Sequence, residues 1–66
     1  MNIEFKNRKE GYIKQWPNWT GVIPSIDDTV VLHFGDNNEI KEYYEVEGRE
    51  ISGTNCDKIV LYVEKL

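Results

Sequence analysis

The chain has 66 residues, with eight Lys+Arg against twelve Asp+Glu, a formal charge of −4 at pH 7 and a sequence pI near 4.8. That length holds one small domain over residues 1–66 and excludes a repeat array or a two-domain enzyme. With 39% hydrophobic residues, 12% of the chain being aromatic, the composition is too apolar for a disordered acidic chain. A single cysteine, Cys56, and a single histidine, His33, exclude an intramolecular disulfide and the Cys-rich or mixed Cys/His zinc sites. No metal and no cofactor are therefore expected. A domain of this size has a marginal core, so two Trp, four Tyr and two Phe are expected to supply dense aromatic packing, with self-association as a further support.

In chain order, Asn2 to Asn7 alternates, with Ile3 and Phe5 on one face and Glu4 and Lys6 on the other. The same segment has no apolar run or small-residue cleavage site of the kind a signal peptide needs. Gly11 to Trp16 reads as a second extended piece, and Arg8 to Ile13 as the one stretch where a short helical turn is admissible. Pro17 and Pro24 bracket an irregular loop; its Asn18-Trp19-Thr20 sequon has no use in a protein that is not secreted. Thr29 to Phe34 is β-branched and aromatic, a strand with Val30, Leu32 and Phe34 on one face. Gly35-Asp36-Asn37-Asn38 follows as a hairpin turn, because Gly and Asn tolerate positive φ.

Ile40 to Ser52 is the next strand. Ile40, Tyr44 and Val46 share one parity and Ile51 the other, so a bulge near Gly48 is expected to reconcile them. Gly53 to Asp57 is a second turn. Lys58 to Glu64 closes the chain, with Ile59, Leu61 and Val63 inward and Val60 and Tyr62 outward. Val30-Val31-Leu32 and Ile59-Val60-Leu61-Tyr62-Val63, the longest apolar runs, are far short of the ~20 residues that span a bilayer. The unpaired thiol fits a cytoplasmic location. Five short strands joined by tight turns predict an all-β, five-stranded small barrel, closed or half-open, with closure hiding strand edges.

Pro24-Ser25-Ile26-Asp27-Asp28-Thr29-Val30-Val31-Leu32 resembles the Pro-x-(Ile/Val)-Gly-Asp-x-Val-x-Leu stretch that opens a strand in many SH3-like small barrels. Tyr44-Glu45-Val46 and Ile59 to Val63 are similar to the later strands, so the resemblance covers roughly residues 22–66. It points to compact SH3-like barrel proteins of unknown function from bacteria and mobile elements; an OB-like barrel is the alternative architecture. Asp27 stands where that pattern has Gly, which implies a turn that accepts Asp, with αL backbone as the expected form. The resemblance carries no binding residues over, because those of the signalling SH3 domains are not evident here.

Three groups of side chains suggest surfaces. Tyr12, Trp16, Trp19 and Tyr43, with Tyr62 beside them, can form an apolar groove for a protein segment or a platform for stacked bases. The competing reading is that Trp16 and Trp19 close a core short of aliphatics. Residues 1–15 hold Lys6, Arg8, Lys9 and Lys14 against Glu4 and Glu10, so 4 − 2 = +2, whereas residues 16–66 hold 4 − 10 = −6. A basic N-terminal patch can meet phosphates, although the acidic pI runs against a nucleic-acid-binding domain. Glu45 and Glu47, near Glu39, Glu42 and Glu50, can face a basic partner or protect a strand edge.

Catalytic readings are thin. Asp27-Asp28 and Asp36-Asn37-Asn38 are turn chemistry without calcium-loop spacing, and nothing in the sequence lowers the Cys56 pKa or pairs it with a base. The expectation is a non-catalytic module that binds a protein partner or itself through its aromatics. The alternatives are a nucleic-acid-binding accessory protein and a structural homo-oligomer subunit. No membrane or small-molecule substrate is indicated.

Overall fold

A computed structural model of the chain describes residues 1–53 and 57–66. Cys56 and most of the turn expected between Gly53 and Asp57 lie outside the described residues. Five strands are present: β1 (Asn2–Asn7), β2 (Gly11–Trp16), β3 (Thr29–Phe34), β4 (Ile40–Ser52) and β5 (Lys58–Lys65). They form one sheet in the order β2-β1-β5-β4-β3, curled strongly into a half-barrel. All neighbouring pairs are antiparallel except β1 and β5, which run parallel. The all-β class expected from the alternation is thus the observed one. Among the described residues there is no helix, and so none long and apolar enough to cross a membrane.

Local chemistry sets the ends of these elements. The helical turn allowed over Arg8 to Ile13 does not form. The Asn7 side-chain oxygen accepts from the Lys9 and Glu10 amides at 2.9 and 3.0 Å, an Asx arrangement that turns the chain, and Gly11 takes φ 87° as β2 begins. Gly35 (φ 93°) and Asn38 (φ 55°) carry the β3–β4 turn, as their residue types predict. Asp27 sits at φ 77°, in the left-handed region expected of this turn.

Asp27 is held there from both sides. Its amide donates to the Val46 carbonyl at 2.8 Å, and the Val46 amide donates to the Asp28 carbonyl at 2.9 Å. The Asp28 carboxylate accepts from the Ser25 amide at 2.8 Å. Asp tolerates this backbone better than branched residues do. Asp27→Val is therefore expected to cost about 1–2 kcal/mol. Asp27→Gly should stay within about 0.5 kcal/mol of wild type, because released strain offsets the added freedom of the unfolded chain. Urea midpoints of the two variants check both values.

The core is built from the concave face. Ile3 and Phe5 of β1 lie beside Ile59 and Leu61 of β5, and Val46 pairs with Val63; all six are buried, with Leu32 and Tyr44 completing the cluster. Between Val46 and Gly48 the register of β4 shifts. This is the expected bulge, and it does change parity: Ile51 is paired with Ile59, on the core face. The strand runs past its cover there, so Ile51 stays 63% exposed. Ile40, grouped with Tyr44 and Val46 by parity, is likewise exposed at the far end of the strand.

Val60, assigned outward by alternation, does lie on the convex face but is only 7% exposed. Its cross-strand partners there are Glu4 and Glu50, and Glu4 is held over β5 by an ion pair with Lys58 at 3.0 Å. Long polar side chains thus cover an apolar one that alternation alone would leave in water.

Tyr44 brings a polar group into the core margin. Its hydroxyl donates to the Glu42 carboxylate at 2.7 Å, and Lys65 reaches the other oxygen of Glu42 at 3.3 Å. Burial first, and then the Glu42 carboxylate, push the Tyr44 phenol up to about 12. A tyrosine pKa raised on folding contributes stability that is complete below the ordinary value near 10 and is lost as pH climbs through the folded value. Wild-type stability is therefore expected to fall between about pH 10 and 12, and Tyr44→Phe should lack that component of the fall in alkaline denaturation curves.

Candidate functional site

Because β2 and β3 are the two ends of the strand order, the half-barrel has an open seam between them. Residues 17–28 connect these strands across one end of it. Trp19 fixes that connection: its amide donates to the Met1 carbonyl at 2.9 Å and its indole N–H to the Val22 carbonyl at 3.3 Å. Trp19 and Ile23 pack against the buried cluster and close the end of the core. Trp16, at the end of β2, meets the Trp19 ring edge-on, with centroids 5.1 Å apart and planes at 84°. That arrangement suits the quadrupoles of two aromatic rings.

The pair walls a groove of about 380 Å³ whose other lining residues include Phe5, Pro24, Val31 and Leu32. Phe5 and Leu32 are buried at its floor, while Trp16 remains 44% exposed. Trp19 thus packs on the core, while Trp16 stays half-exposed.

Tyr12 and Tyr43 do not join them. The β1–β2 pairing runs Phe5 to Lys14 and then Lys6 to Tyr12, leaving Ile13 unmatched as a bulge. Simple alternation would put Tyr12, Lys14 and Trp16 on one face; the extra residue turns Tyr12 to the convex face, where it is 60% exposed. Tyr43 is 51% exposed on the convex side of β4, opposite Val31. It neighbours the rim of the groove without lining it.

The four basic residues are divided by the same bulge. Lys14 points to the concave side, where its Nζ donates to the His33 carbonyl on β3 and lies 5.2 Å from the centre of the Phe34 ring. It spans the seam and is no part of a basic patch. Lys6, Arg8 and Lys9 stay together, lining an open cleft of about 550 Å³ with Glu10, Glu50 and Tyr62. Lys6 sits in register between Tyr12 and Tyr62.

Arg8 lies over the Tyr62 ring at 4.6 Å, and Tyr62 donates to Glu50 at 2.7 Å, an interaction that raises the phenol pKa. Gly48 makes room for this stack, since a Cβ there would fall 2.6 Å from Arg8 Nη2. The acidic strand also has a partner beyond those its own spacing suggests. The Glu64 carboxyl raises the carboxyl pKa of Glu47, at the β4 bulge, and Arg8 opposes part of that rise.

Among the described residues no group of three His, Cys, Asp or Glu side chains is placed to hold a metal ion. Among the lining residues that the sequence did not mark as a site are Pro24, Val31 and His33. Pro24 and Val31 fall within the Pro24–Leu32 stretch and His33 directly follows it, but only the seam between nonadjacent strands shows that they share a surface. The chain matches no protein-family model, no curated protein and no solved structure.

Proposed function

We propose that this protein is a non-catalytic interaction module, a small SH3-like barrel that binds a protein partner through the groove of Trp16 and Trp19. The observation that carries this reading is the half-exposed Trp16 seated edge-on against Trp19 over an apolar floor. Tryptophans held this way lose little side-chain freedom on binding and are frequent anchors of protein interfaces. Tyr43, at the rim, adds contact area for a partner larger than the groove.

Selection from a phage-displayed library of random peptides tests the proposal. Selected peptides are expected to shift the Trp16 indole resonance and to lose at least tenfold in affinity for Trp16→Ala. Selection that yields no binder, or binders indifferent to Trp16→Ala, overturns it.

A second reading rests on Lys6, Arg8 and Lys9 beside Tyr62 and Tyr12, where cations and aromatic faces share one surface as in single-strand binders. It requires affinity for a short single-stranded DNA that falls steeply with salt, together with shifts at Lys6 through Tyr12 and at Tyr62. Lys14 takes no part in that reading. Glu10 and Glu50 inside the same cleft weigh against it.

A further inference from the structure

The backbone of β3 points groups that have no backbone partner into the groove. The Leu66 amide donates to the Tyr43 carbonyl, so the backbone of Tyr43 faces β5. Backbone groups alternate sides along a strand, so Glu42 and Tyr44 face β3. Their partners there are Leu32 and Val30, which leaves the N–H and C=O groups of Thr29, Val31 and His33 on the opposite, open edge. Lys14 confirms the direction independently, since its Nζ reaches the His33 carbonyl from β2. The two edges are thus joined by a four-carbon lysine stem and not by a backbone ladder.

A strand added to a sheet needs a free edge, beside which it lies at about 4.8 Å, and an apolar wall for alternate side chains. The seam offers both the edge and the wall. It also holds a cation whose partners are a carbonyl and a ring face; neither salt bridge found among the described residues involves Lys14.

We infer that the occupant of the groove is an extended segment of another protein that pairs with β3 as a sixth strand, with a carboxylate at a groove-facing position. A backbone N–H of that segment takes over the His33 carbonyl, and Lys14, released from it, pairs with the carboxylate. Side chains two residues away on either side of the acid lie on the same face and enter the apolar groove by Trp16 and Leu32. This inference rests on the reading of the Trp16–Trp19 groove as a protein-binding site, and it adds the conformation and the charge of the partner.

The probe is the end-capped peptide Thr-Val-Thr-Glu-Thr-Val-Thr, which presents Val, Glu and Val on one face, compared with its Gln analogue and a form N-methylated at the backbone. The Glu peptide is expected to shift the Val31 and His33 amides and to bind about tenfold more tightly than the Gln peptide, as a charge-assisted hydrogen bond implies. Lys14→Met should erase that preference. Val31→Pro removes one open-edge donor while an edge position tolerates proline, and it should weaken both peptides; thermal melting verifies that each variant folds.

Equal binding of the Glu and Gln peptides, or undiminished binding of the N-methylated form, overturns the inference. So does a sedimentation mass showing a second copy of this chain paired on β3. If phage selection yields groove binders and the heptapeptide does not bind, the sixth-strand inference fails while the groove reading stands. If neither yields a binder, the groove reading fails as well.

Discussion

Phe5→Ala is expected to remove about half or more of the stability of this domain. Phe5 is 1% exposed, among the largest of the fully buried side chains, and it sits on β1 between Lys14 of β2 and Leu61 of β5. Truncating a buried phenylalanine costs about 3–5 kcal/mol, against a total stability of about 3–10 kcal/mol for a chain of this length. Nothing larger stands ready to fill the space, because the remaining core is mostly Ile, Leu and Val. Phe5→Leu keeps most of the volume and should cost under about 1.5 kcal/mol. Circular dichroism with urea titration separates the two, and a Phe5→Ala midpoint close to that of the wild type would contradict a buried Phe5.

The second large effect is a contrast between the two tryptophans. Trp19 packs on the core and makes two hydrogen bonds that anchor the 17–28 connection. Trp19→Ala should cost about 2 kcal/mol, less than a fully buried tryptophan because part of the ring is already in water. Trp16 lies at the end of an edge strand and is half-exposed, so Trp16→Ala should cost less than about 1 kcal/mol. Urea midpoints measure both. A Trp16 variant as unstable as the Trp19 variant would make Trp16 a core residue and remove one wall of the groove.

This contrast also governs how the binding experiments are read. A loss of affinity in Trp16→Ala with the fold intact reports on contact with the partner. The same loss in Trp19→Ala reports on the lid of the core, because the connection moves with it. Trp16 is therefore the informative substitution, and Trp19→Phe, which retains an aromatic ring against the core, is the milder control.

The five strands, the β3–β4 turn and the positive φ at Asp27, Gly35 and Asn38 were legible in the sequence, because each depends on neighbours within a few residues. Alternation of Val30, Leu32 and Phe34 marks a half-buried strand wherever it lies. Gly and Asn mark a turn because of their own sterics. The conflict of parity between Val46 and Ile51 even betrayed the bulge in β4. These properties were settled along the chain.

What only the tertiary structure decided is the meeting of distant strands. The bulge at Ile13 leaves no mark in the alternation of β2, yet it sends Tyr12 to the convex face and leaves Lys14 and Trp16 on the concave one. Val60 is buried because side chains of β1 and β4 lie beside it, and local pattern carries no information about them. The seam exists because β5 returns parallel to β1, leaving β2 and β3 as the two edges of a curled sheet. Residues far apart in sequence, Trp16 and Val31 among them, become one surface there through register and curvature, which are set by cross-strand packing and not by any single segment.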